Sequence, residues 1–153
     1  SKRFDVHEAI KQKPPAHITL KYPFKTKKIE TVEHIISRIS KETKPFSFKL
    51  KGFNHFEKDV IFIEVPGQNG KLRKLQQEIY KTLKEKKEFE MGPYDSNIHF
   101  HATACRKDIK AKFSDIWNFI SNIDLNLKTT CDNITILELK HGTWKIHKEF
   151  KIN

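Results

Sequence analysis

The feature that most constrains this chain is a layout that occurs twice. A short apolar segment carrying His and Thr two residues apart is followed by a helical pattern and then by strand patterns. In the first half the segment is His17-Ile18-Thr19-Leu20, which reads as a strand ended by Tyr22-Pro23-Phe24. Ile29, Val32, Ile35, Ile36 and Ile39 then fall at helical spacing and predict an amphipathic helix over 28–42, closed by Pro45. Phe46, Phe48 and Leu50 alternate as a half-buried strand does, 52–58 reads as a turn, and Val60 to Val65 reads as a more fully buried strand. Leu72, Leu75, Ile79 and Leu83 mark a long helix. After Gly92-Pro93, Ile98 to Cys105 reads as a strand carrying His99, His101 and Thr103. Ile109, Phe113, Ile116 and Ile120 predict another helix, and strands follow at Leu125, at Ile134 and after Gly142. Residues 3–11 read as a helix or its tail, broken by Pro14-Pro15.

This pattern predicts an α+β fold, with helices covering the outer faces of antiparallel sheets. It predicts one domain over 1–153, built from a lobe at about 14–90 and a lobe at about 95–153 that face each other across a cleft, each with its own His-x-Thr strand. The longest purely apolar run is Val60-Ile61-Phe62-Ile63, far short of the ~20 apolar residues of a membrane-spanning helix. An apolar fraction of 37% is enough for a core. The expectation is a cytoplasmic monomer that does not engage membrane.

The formal net charge is +11, a field that attracts polyanions such as RNA and nucleotides. Lysine supplies most of it, which favours phosphate steering over base reading. The exposed series Lys81, Lys84, Lys86 and Lys87 reads first as a solvated helix face. Two cysteines, Cys105 and Cys131, are too few for a disulfide framework and read as buried or inert.

Alternate residues of a strand share a face, so His17 projects with Thr19 and His101 with Thr103. Two imidazoles and two hydroxyls converging from two strands suit a tetrahedral phosphate. One imidazole takes a proton from attacking water and the other, protonated, gives one to the leaving oxygen. The hydroxyls donate to the non-bridging oxygens. This chemistry calls for no metal and no cofactor. A third His-x-Thr, His141-Gly142-Thr143, straddles a glycine between strands and reads as a turn.

Here the residues resemble a known family. Pro15-Ala16-His17-Ile18-Thr19-Leu20-Lys21-Tyr22-Pro23-Phe24 is similar to the first motif of the two-histidine (2H) phosphoesterases, the LigT-like or 2′-5′ RNA ligase group. His101-Ala102-Thr103-Ala104-Cys105-Arg106 resembles the second motif, with its trailing Arg. The resemblance implies a bilobal fold with pseudo-twofold symmetry about a central cleft. It implies metal-independent chemistry on 2′,3′-cyclic or related phosphates, or on 2′-5′ linkages, of RNA and nucleotides, in some members with ligase activity. Carried over, His17 and His101 are the acid/base pair, and Thr19 and Thr103 bind phosphate. Ala104 stands where Leu is usual, and the strand that commonly opens the fold is not visible in 1–13. That strand is expected upstream of Ser1 or is absent.

Other candidates stand beside these. His99 shares the strand face of His101 and is placed to contact substrate or to act on His101 by like-charge repulsion. Arg106 is placed to meet phosphate. Tyr22, Phe24, Phe56 and Tyr94 flank the motif strands and are candidate base-stacking rings, whereas Trp117 reads as core. A metal site from His99, His101 and Cys105 matches no zinc spacing. Two alternatives remain open: a non-catalytic RNA-binding module of the same fold, and a cyclic phosphoesterase acting on a small metabolite.

Overall fold

The computed structural model describes residues 16–106 and 109–153. The predicted helix at 3–11 lies outside them. The element order is α1 (Ile29–Glu42), β1 (Phe46–Lys51), β2 (Phe53–Phe56), β3 (Val60–Glu64), α2 (Lys71–Glu85), β4 (His101–Arg106), α3 (Phe113–Ile120), β5 (Asn126–Cys131), β6 (Asn133–Lys140) and β7 (Thr143–Lys151). All strand pairs are antiparallel. The class is α+β, as the layout predicts.

The helices form where apolar residues recur every three or four positions. Val32, Ile35, Ile36 and Ile39 of α1 and Leu72, Leu75, Ile79 and Leu83 of α2 are all buried. They share one core with Phe46, Val65, Phe89, Ile98, Phe100, Ile134, Phe150 and Ile152. A second, smaller core lies under α3, where Ile61, Ile109 and Phe113 are packed by Phe53, Cys105, Ile116, Trp117 and Ile120. Trp117 is a core residue, as expected, its ring parallel to that of Phe113 at 6.1 Å.

The ladders depart from the layout in three places. First, β2 lies inside the predicted turn 52–58, and the turn itself shrinks to the residues after Phe56. Gly52 explains this. Its φ of +73° breaks a continuous strand into β1 and β2. Its N–H donates to the Leu125 carbonyl (2.9 Å), while its own carbonyl accepts from the Glu64 N–H (3.0 Å). The chain thereby leaves one sheet and joins another.

Second, the halves do not each build their own sheet. β1 pairs with β5, and β4 pairs with β3 in a sheet ordered β2-β3-β4. The strand carrying His101 and Thr103 therefore sits on a hairpin from the first half. Layout alone does not determine which edge a strand joins, because any register that buries the apolar face satisfies the backbone. Third, 17–20 is in no ladder, although Ile18 and Leu20 still pack on the main core. The β6–β7 hairpin closes through His141 and Gly142 at φ +51° and +75°, a two-residue turn with both central residues left-handed. The third His-x-Thr is thus turn material, as its glycine predicts.

Candidate functional site

Strand register sorts the β2-β3-β4 sheet into two faces. Directly opposite residues of an antiparallel pair share a face. Glu64 lies opposite His101, Phe62 opposite Thr103 and Asn54 opposite Phe62. These residues, with Phe56, make one face; Ile61, Ile63, Phe53 and His55 belong to the other. α3 covers that other face, where His55 meets Phe113 at 5.0 Å and Trp117 at 4.7 Å.

A register shift at Ile61/Phe62 sets Cys105 opposite Ile61 and Thr103 opposite Phe62, so Ala104 is the extra residue of a bulge. The bulge has a directional effect. It turns Cys105 into the core under α3 and brings Arg106, opposite Val60, onto the face of His101 and Thr103. Without it, Arg106 would follow Ala102 to the covered side. It also separates Cys105 from His99 and His101, the three donors of the metal reading.

Phe62, 1% exposed, floors the open face. Around it stand Phe56 at 4.3 Å, His101 at 5.1 Å and His99 at 5.7 Å between ring centroids. Phe56 is 44% exposed and 5.3 Å from the His101 ring, so this candidate stacking ring is set against a motif histidine. His101 Nδ1 lies 2.8 Å from the His99 carbonyl. A carbonyl only accepts, so Nδ1 carries the proton and neutral His101 presents the Nε2 lone pair. Burial pushes the His101 pKa below the ordinary histidine value. The His99 carbonyl and Glu64 oppose that shift, while the charges of His99 and His17 add to it.

His17 is therefore within electrostatic reach of His101, although 84 residues separate them in sequence. Asp95 explains how the first motif is held there. Its carboxylate is 1% exposed and accepts from Lys21 Nζ (2.9 Å), from the Tyr22 N–H (3.1 Å) and from the Gly92 N–H (2.6 Å). Its own carbonyl accepts from Gln76 Nε2 at 2.6 Å. One buried acid thus ties the first motif to the loop that leads into the second. Tyr22 and Tyr94 lie beside Asp95; burial, then Asp95 and Tyr94, push the Tyr22 phenol up. Phe24 takes a core place, edge-on to Phe89 at 6.0 Å with Lys21 over its ring at 4.5 Å.

The approach to β4 is irregular backbone, and side chains from α2 and from the turn before it satisfy it. Arg73 donates to the carbonyls of Gln68 (3.2 Å) and Ile98 (2.5 Å) and lies over the Phe100 ring at 4.2 Å. The Gln68 amide pairs with both the carbonyl and the N–H of Phe100 at 3.0 and 2.8 Å. Ile98 and Phe100 are fully buried, so these partners are obligatory. Sequence reasoning missed Asp95, Gln68, Arg73 and Glu64. Tyr94-Asp95-Ser96-Asn97 reads as a solvated loop, and the one available signal was Lys21, a cation set between Leu20 and Tyr22 that needs a partner.

Known proteins share this fold. A crystal structure described as that of a phosphoesterase matches with a TM-score of 0.63 at 14% identity, over 96% of this chain and 88% of that one. A protein of Geobacillus kaustophilus named as a candidate phosphoesterase is 30% identical over 97% of this chain and 83% of its own length. A like-named protein of Geobacillus thermodenitrificans is 29% identical over 99% of this chain and 84% of its own. The family model of the 2′-5′ RNA ligase superfamily matches residues 5–143, and the chain belongs to that superfamily. Among the described residues no helix is long and apolar enough to cross a membrane.

Proposed function

We propose that the protein is a metal-independent cyclic phosphodiesterase that opens 2′,3′-cyclic or related phosphates of RNA or nucleotides. His101 Nε2 takes a proton from water as the water oxygen bonds to phosphorus. His17, protonated, gives a proton to the sugar oxygen as its bond to phosphorus breaks, leaving a monophosphate. Thr19 and Thr103 donate to the non-bridging oxygens, Arg106 faces the same anion, and Phe56 offers a ring to the base. A net charge of +11 favours arrival of a polyanion.

The observation that carries this reading is the setting of His101: its Nδ1–H is committed to the His99 carbonyl, its Nε2 is a lone-pair donor, and the charge of His17 acts on it from the first motif. Burial keeps His101 neutral at neutral pH, which suits a base and leaves His17 as the acid. The test is turnover of a 2′,3′-cyclic nucleotide. His17→Asn and His101→Asn each lower kcat/KM by roughly 10²–10⁴-fold, and EDTA has no effect. The wild-type profile is a bell whose acid limb falls below the ordinary histidine value of 6.5. Near wild-type turnover in either variant refutes the assignment. RNA binding that falls steeply with salt, without turnover of any cyclic phosphate, identifies a binding module instead.

A further inference from the structure

The side chains of His99 and Glu64 have no part in the mechanism above, yet both act on His101. The His99 ring stacks on the His101 ring at 5.7 Å with an interplanar angle of 25°, and its carbonyl holds Nδ1. Glu64 faces His101 directly across the β3–β4 ladder. Its Oε2 lies 3.7 Å from His99 Nε2, and its Oε1 accepts from Asn54 Nδ2 at 2.9 Å, which fixes the carboxylate on this face. Among the described residues, the ionisable groups whose charge acts on His101 are His99 from its own segment, Glu64 from β3 and His17 from the first motif, while Arg106 lies further along the same face of β4. β2 contributes the uncharged Phe56.

We propose that His99 and Glu64 are a pair of positioning residues that bracket His101 between an imidazole and a carboxylate and so hold it ready as a base at neutral pH. Glu64 favours the His101 imidazolium; protonated His99 opposes it. The 3.7 Å contact between them, an ion pair when His99 is protonated, ties the two influences together. The catalytic consequence rests on the phosphoesterase reading, but the bracketing itself does not.

The test is an NMR titration of the His101 ring in the full chain, run beside the pH profile of kcat/KM on a 2′,3′-cyclic nucleotide. Glu64→Gln moves the His101 titration down, and His99→Gln moves it up, each by about half a pH unit. Glu64→Asp restores the wild-type value. The acid limb of kcat/KM follows in the same direction. Raised salt shrinks both shifts, as it does for charge interactions and not for burial. A titration unmoved by either substitution, moved the same way by both, or shifted equally at low and high salt overturns the proposal. Opposite, salt-sensitive shifts in a protein that turns over no cyclic phosphate uphold the pair and reject the phosphoesterase reading.

Discussion

Asp95→Asn tests whether one buried carboxylate joins the two motifs. Lys21 is 11% exposed and Asp95 1%, so this is a buried ion pair and not a surface contact. The amide removes the negative charge and leaves Lys21 Nζ with the Tyr22 carbonyl at 3.0 Å as its remaining oxygen. It also supplies one accepting oxygen where the N–H groups of Tyr22 and Gly92 used two. Breaking one side of such a pair costs about 3–5 kcal/mol, a large share of the ~5–15 kcal/mol that holds a domain of this size. Urea unfolding followed by tryptophan fluorescence and by far-UV circular dichroism measures it. The midpoint falls while the slope is unchanged. Lys21→Met in the same background recovers part of the loss, since the uncompensated cation is then gone. A cost under about 1 kcal/mol, or costs that simply add in the double variant, would show that Asp95 does not bear on Lys21 as argued.

Two further outcomes follow from the same structure. Burial lowers the His101 pKa in the folded state, so between that value and the unfolded one near 6.5 the unfolded chain binds more protons; stability therefore rises with pH through this window, levels off above it, and His101→Gln flattens the slope in urea titrations run from pH 5 to 8. Gly52→Ala meets no atom within 4 Å but forces a side chain to φ +73°, so it costs about 1–2 kcal/mol by urea unfolding, and an unchanged midpoint would show that the joint between β1 and β2 relaxes.

What was legible in the sequence is what periodicity encodes. α1 spans Ile29–Glu42 against an expected 28–42, and the buried face is the one its isoleucines mark. The candidate histidines stood out because His-x-Thr in an apolar setting is conspicuous against a lysine-rich background. Three things were not. The segment 17–20 has the composition of a strand, but strand formation needs a neighbour, and its own sequence does not name one. The bulge at Ala104 leaves no trace in a run of small residues, yet it decides where Arg106 and Cys105 point. Asp95 looks like any loop acid until Lys21 and two N–H groups, remote in sequence, are brought onto it. Each miss concerns a partner supplied by distant chain, which local pattern cannot specify.

The crossed ladders restrict how the two halves of the chain can move. With β4 zipped to β3 and β5 to β1, the two portions of the polymer are laced through one another. A clam-shell swing between them would have to tear main-chain hydrogen bonds from both sheets at once. Movement about the candidate site is therefore left to side chains and to the segments outside the ladders, the stretch bearing His17 among them. The strand that carries His101 is fixed in a ladder, whereas the stretch that carries His17 is in none.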